Sequence, residues 1–273
     1  MSECDLCPRH CRLSEGQVGF CGARVMRSDA SRPLGYGKVT SLSLDPIEKK
    51  PLAKFHPGSM ILSSGSFGCN MSCYFCQNHG ISRAGVNDSR WQEHSPQALC
   101  ALALELAPRG NIGLSFTYNE PMLNIEFISD CADKLREVDL KTVVVTNGNF
   151  CLDAVGEVIK KVDAFNIDLK GFSKPWYRRL GGDLDTVKAF IQAACESSHV
   201  EITTLVVPGQ NDSVEEIDTL ARWLASVGRD IPLHLSRYFP RYQASGAPTD
   251  RKALFRLAEV AKQRLDNVFV GNV

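Results

Sequence analysis

The chain has 273 residues, 44% of them hydrophobic, and its 31 basic residues are balanced by 31 acidic ones. That length suits one large domain, or a large domain with a small module, and leaves ample material for a core. Zero formal charge provides no whole-chain field to draw in nucleic acid or an anionic membrane, and no apolar run is long enough to span a bilayer. The opening residues Met1-Ser2-Glu3-Cys4-Asp5 lack the basic and apolar regions of a secretion signal. Eleven cysteines in such a chain are therefore read as thiols and metal ligands in a reducing, cytoplasmic setting.

Residues 1–59 carry cysteine, glycine, proline and charge without a regular period. They form an expected metal-stapled module followed by a connector. Four of the cysteines follow the spacing Cys4-x2-Cys7-x3-Cys11-x9-Cys21. Four thiolates complete the tetrahedral shell of zinc or the shell of an iron–sulfur cluster, and the spacing does not choose between them. Either metal would stand in for the core that so short a segment lacks. The structural role and that of an auxiliary electron relay both remain open. The connector runs Asp45-Pro46-Ile47-Glu48-Lys49-Lys50-Pro51-Leu52.

From residue 60 strand-like and helix-like runs alternate, and residues 60–273 are expected to form the main domain. Strands are predicted over 60–67, 112–118, 142–146, 164–169, 200–207, 233–238 and 268–270. Helical patterns fall between them over 96–106, 122–138, 152–161, 184–196, 214–227 and 249–265. Strands rich in Val, Ile and Leu that alternate with such helices imply parallel βαβ crossovers. The fold class is thus α/β, and six units with a seventh short strand suit a partial (β/α)6 barrel. An open doubly wound sheet has the same periodicity. Cys100, Cys131, Cys151 and Cys195 fall singly among apolar residues and read as core.

The first main strand runs into Gly68-Cys69-Asn70-Met71-Ser72-Cys73-Tyr74-Phe75-Cys76-Gln77-Asn78. A [4Fe–4S] cube takes four thiolates, and this triad offers three, so one iron would remain open for another ligand. In a β/α barrel, a loop after a strand lies on the face where chemistry is done. The competing reading is a zinc knuckle, with His79 completing a Cys3His set. Gly65 and Gly68 would let the backbone turn beside a bulky group.

Later strand ends carry further polar residues. Glu120 precedes Pro121 and either reaches the active face or caps the following helix. Thr146-Asn147-Gly148 closes the third strand. Asp168 and Lys170 share a face at the end of the fourth and form an expected ion pair. His234, Ser236 and Tyr238 share a face of the sixth, next to Arg237, Phe239, Arg241 and Tyr242.

The triad, with Phe75 before its third cysteine, resembles the signature of radical S-adenosylmethionine (SAM) enzymes. With Cys7-Pro8-x-His10-Cys11, 45–52, Thr117-Tyr118-Asn119-Glu120-Pro121 and Ser236-Arg237-Tyr238, it is similar to the AmmeMemoRadiSam-system radical SAM enzymes, often labelled pyruvate formate-lyase activating enzyme-like. The resemblance implies a [4Fe–4S] cluster on Cys69, Cys73 and Cys76 whose open iron is chelated by SAM. It implies reductive cleavage to a 5′-deoxyadenosyl radical, with hydrogen then taken from a substrate such as a protein glycine. By the same resemblance, Phe75 lies near the SAM adenine and Glu120 meets the methionyl ammonium. Thr146 and Asn147 meet the ribose or methionine, and Lys170, beside Asp168, meets the SAM carboxylate. A flavodoxin or ferredoxin would be the reductant. Two departures stand out: Tyr118-Asn119 replaces the family's Gly-Gly, and Val145 replaces an aspartate. The alternatives are radical modification of a small molecule or of RNA, the latter disfavoured by zero net charge, and a zinc-stabilised scaffold without catalysis.

Overall fold

The computed structural model describes the whole chain from Met1 to Val273. Its centre is an eight-stranded sheet. The strands are β1 (Ser41–Pro46), β2 (Met60–Gly65), β3 (Asn111–Thr117), β4 (Lys141–Thr146), β5 (Ala164–Asp168), β6 (His199–Val206), β7 (Leu233–Arg237) and β8 (Val268–Gly271). Their order in the sheet is their order in the chain. Every pairing from β2 to β8 is parallel, and β1 adds to β2 antiparallel. A doubly wound sheet reverses its strand order part-way, and this one never does. Edge strands β1 and β8 do not pair, so the curl stays open as a partial barrel.

Helices over Pro96–Glu105, Ile125–Glu137, Leu152–Ile159, Leu184–Cys195, Val214–Val227 and Arg251–Lys262 make the crossovers and the final cover. Several begin as local chemistry dictates: Ser95, Asp183, Ser213 and Asp250 each accept a hydrogen bond from a first-turn backbone amide. One cluster of 57 buried residues, including Leu62, Leu114, Val144, Phe165, Phe127, Phe190 and Leu257, joins the outer sheet face to these helices. Cys100 and Cys131 are buried as expected, while Cys151 and Cys195 are only partly so.

The inner face carries the alternate residues. Ile61, Val143 and Ala164 pack there with Ile47 and Leu52 as a separate small core. Above them the inner face turns polar, with Ser63, Ser115, Asn166, Glu201, Thr203 and His234 all buried. The connector is therefore more than a link. Residues 41–46 are the edge strand of the barrel, which moves the boundary drawn at residue 59 back to about residue 40. Residues 47–54 then plug the floor: Glu201 accepts from the amides of Ala53 (2.9 Å) and Lys54 (2.7 Å), and Asn166 donates to the Pro51 carbonyl (2.8 Å).

Residues 1–40 form a small lobe of two hairpins, Ser2–Glu3 with Arg12–Leu13 and Arg24–Arg27 with Ala30–Pro33. No helix of the molecule is long and apolar enough to cross a membrane.

Candidate active site

The cysteine triad lies on the loop after β2, and the chain fixes that loop almost carbonyl by carbonyl. Phe67 O accepts from Asn119 Nδ2 (3.0 Å) and Asn70 O from Arg9 Nε (2.7 Å), while Met71 O accepts from Arg83 Nη1 (2.9 Å). Gly68 O accepts from the Glu120 amide at 3.2 Å, and the Ser72 amide donates to Leu180 O at 2.8 Å. Gly68 has φ +86°, and a Cβ there would fall 2.5 Å from the Cys21 carbonyl oxygen, so glycine is required. Three sulfurs are thus presented from a rigid platform.

Residues at three neighbouring strand ends converge on it. After β3, Glu120 is 2% exposed. Its Oε1 accepts from Thr146 Oγ1 (2.7 Å) and the Met122 amide (3.1 Å), and its Oε2 from the Asn147 amide (2.8 Å). Glu120 therefore both caps the turn at Pro121 and latches the end of β3 to the end of β4. Burial pushes its carboxyl up to about 7, against the pull of those donors. After β4, Asn147 Nδ2 reaches Cys69 Sγ (3.7 Å) and Asn70 Oδ1 (2.8 Å). After β5, Lys170 Nζ donates to Asp168 at 2.7 Å, the ion pair expected from their spacing. Burial alone would pull the Lys170 ammonium down, but Asp168 and then Cys73 hold it above the ordinary lysine range.

The replacement of Gly-Gly by Tyr118-Asn119 has a structural answer. Tyr118 adopts φ +75°, the left-handed conformation for which glycine is the usual choice. Its carbonyl accepts from Asn78 Nδ2 (2.8 Å), its hydroxyl donates to Asp45 (2.9 Å), and its ring packs over Gly65. Asn119 Oδ1 accepts from the Ser66 amide at 2.9 Å. The glycine-like turn is kept, and the side chains that replace hydrogen tie the triad loop to β1.

Phe75 is buried and stacked with Trp176 (centroids 6.0 Å apart), with Tyr238 edge-on at 6.2 Å. Trp176 and Tyr177 lie on a short helix, Lys174–Arg179, absent from the sequence reading. Tyr177 Oη accepts from the Lys170 amide (2.9 Å), and Trp176 Nε1 donates to the Lys170 carbonyl (2.7 Å), so this helix fixes Lys170. Its start was signalled by Ser173 before Lys174-Pro175, a capping pattern on a segment too short to show a helical period. Asn70, wholly buried and donating to Asn149 O (2.8 Å), and Arg9 carried no such signal.

The donor set fits a cluster with three protein ligands. Burial pushes up the Cys69 thiol, and it pushes Cys73 up to about 11, so buried thiolates here need a cationic partner. His79 is exposed, sits 3.2 Å from the Cys76 carbonyl and stacks on Tyr242 at 4.6 Å. Its ring is thus engaged with the Cys76 carbonyl and Tyr242, not with the three sulfurs.

Comparison with known proteins agrees with this geometry. The family model described as Radical SAM superfamily matches residues 63–224. An uncharacterized protein of Methanocaldococcus jannaschii is 34% identical over 99% of this chain and 81% of its own length. A probable GTP 3′,8-cyclase of Methanosarcina mazei is 28% identical, covering 56% of this chain and 46% of that protein. A 4-hydroxyphenylacetate decarboxylase activating enzyme of Clostridioides difficile is 25% identical, covering 42% and 38% respectively. The crystal structure of Streptococcus suis SuiB superposes with a TM-score of 0.61 at 15% identity, over 77% of this chain and 48% of that one.

Proposed function

The chain belongs to the radical SAM superfamily, whose cofactors are a [4Fe–4S] cluster and SAM, and from that premise we propose that it abstracts hydrogen from a glycine of a partner protein. When bound, the cofactors supply one-electron cleavage of the sulfonium to methionine and a 5′-deoxyadenosyl radical, which takes the hydrogen atom. Cys69, Cys73 and Cys76 would hold the cluster through three thiolates. Lys170, kept charged by Asp168, meets the methionyl carboxylate. Glu120 and Thr146 fix the strand ends against which the methionyl ammonium and ribose rest, and Asn147 steadies Cys69. Phe75, stiffened by Trp176, forms the apolar wall for the adenine. The observation that carries this reading is that Asn147 reaches Cys69 Sγ at 3.7 Å from the end of β4, while Lys170 pairs with Asp168 at 2.7 Å at the end of β5.

The choice of a polypeptide substrate rests on the barrel's two ends. The floor is filled by residues 47–54, so substrate enters at the mouth. The mouth exposes Phe239 (38%) and Tyr242 (43%), with the Arg237 guanidinium 4.7 Å over the Phe239 ring and that of Arg179 5.1 Å over Tyr74. Such an apolar and cationic rim suits an extended chain segment, and the relative named as an activating enzyme supports the same class. A low-potential ferredoxin or flavodoxin in the cytoplasm would supply the electron. One observation favours a second reading, a small polar molecule: Ser115 Oγ, on the inner face, is buried without a partner.

The test uses the reconstituted enzyme, dithionite, SAM and an extract from cells grown on α-deuterated glycine. Deuterium transferred to 5′-deoxyadenosine from the macromolecular fraction alone is the expected result. Transfer from the small-molecule fraction alone would replace the protein substrate with the second reading.

A further inference from the structure

The second cysteine set is spatially joined to the first. Cys4, Cys7, Cys11 and Cys21 line one cavity, together with Arg9 and Arg24. The first hairpin sets Cys4 beside Cys11, whose carbonyl accepts from the Cys4 amide at 2.9 Å. Cys4 and Cys7 are buried, and all four are free thiols. Arg24, 4% exposed and paired with Glu126 at 2.7 Å, closes the wall.

A single zinc ion draws its sulfurs to about 2.3 Å from one point. Here no three side chains are gathered in that way, although four sulfurs ring one space. The triad's sulfurs are not gathered in that way either, and a cube, in which each sulfur would sit on its own iron, does not ask them to be.

Two contacts then tie the sets together. The Cys69 amide donates to the Cys21 carbonyl at 3.2 Å, and Arg9 Nε donates to Asn70 O at 2.7 Å. Gly68 lets the first happen, since any side chain there would collide with that carbonyl. A ligand of one metal site is thus hydrogen-bonded, backbone to backbone, to a ligand of the other.

We propose that Cys4, Cys7, Cys11 and Cys21 hold a second iron–sulfur cluster, closed by four thiolates, and that the Cys21 carbonyl to Cys69 amide bond is its electron outlet to the triad. One electron enters from a low-potential one-electron carrier of the ferredoxin or flavodoxin class, and one leaves to the triad. No bond changes and no proton moves. The cluster assignment stands by itself, whereas the outlet rests on the radical reading of the triad.

The test removes the triad from the full-length chain with Cys69→Ala, Cys73→Ala and Cys76→Ala, then reconstitutes anaerobically with ferrous iron, sulfide and competing zinc. The expected product carries about four irons and four sulfides, with a reduced-cluster resonance after dithionite. One zinc without sulfide, or no metal, overturns the cluster assignment. Should that variant fail to fold, the unaltered chain decides instead: about eight irons support the assignment and about four overturn it. For the outlet, the fully reduced unaltered chain should show spin coupling between the two centres, seen as broadening and faster relaxation. A spectrum that is the plain sum of two isolated clusters overturns it. Cleavage of SAM is not read in either assay, so failure here is distinct from failure of the proposed function.

Discussion

At the carboxyl ends of the strands Cys69 and Cys73 are half-buried with few partners, whereas at the floor Glu201 is buried and fully met. Glu201 accepts from His234 Nε2 (2.6 Å), His199 Nε2 (3.0 Å) and two backbone amides of the plug. Asp45 receives Lys50 at 2.9 Å and the Tyr118 hydroxyl at 2.9 Å. Burial would raise Glu201, yet its two histidines and then the plug amides hold it down at about 2. The floor is complete with the chain's own groups and serves stability. The upper end leaves its sulfurs with few partners, which fits the metal and cofactor site proposed there.

Breaking the upper end should have the largest effect on turnover. Alanine at any one of Cys69, Cys73 or Cys76 should abolish 5′-deoxyadenosine formation while leaving the circular dichroism of the barrel intact. Glu201→Gln attacks the floor instead. It leaves buried donors without their anion and should cost roughly 3 kcal/mol in denaturant unfolding. The sign of its pH dependence follows from the lowered carboxyl. The Glu201 contribution is fully present above the unfolded value of about 4.3 and is lost as pH falls towards about 2. The variant's stability should therefore fall less steeply across that interval.

Lys170→Met separates binding from architecture. Loss of a half-buried cation facing a carboxylate, about 2 kcal/mol, should raise the KM for SAM roughly 30-fold. Lys170→Arg should restore part of that loss, and neither variant should lose iron. Tyr118→Phe is the mildest. It removes one hydrogen bond to Asp45, which keeps Lys50, and should lower stability by about 1 kcal/mol without changing the KM for SAM.

The alternation of strands and helices was legible because the strand face and the helix faces that meet in the outer core are apolar at their own periods. Strand order was not, since periodicity does not encode neighbours; the ordered sheet from β1 to β8 decided for a barrel over a doubly wound sheet. The triad and the Asp168–Lys170 pair were readable because their partners are close in sequence. The joining of Cys21 to Cys69, of Asn147 to Cys69 and of Glu201 to residues 53–54 was hidden, because those partners lie far apart in sequence. Residues 41–46 show the same limit. Nothing local says that they pair with β2 instead of with the amino-terminal lobe.

The most direct measurement is anaerobic reconstitution with iron and sulfide, followed by dithionite and SAM, with methionine and 5′-deoxyadenosine quantified together. Equimolar release of both, lost in the Cys73→Ala chain, is the predicted result. Intact SAM beside a fully loaded cluster, or a cluster whose fourth iron already carries a side chain, would contradict the account.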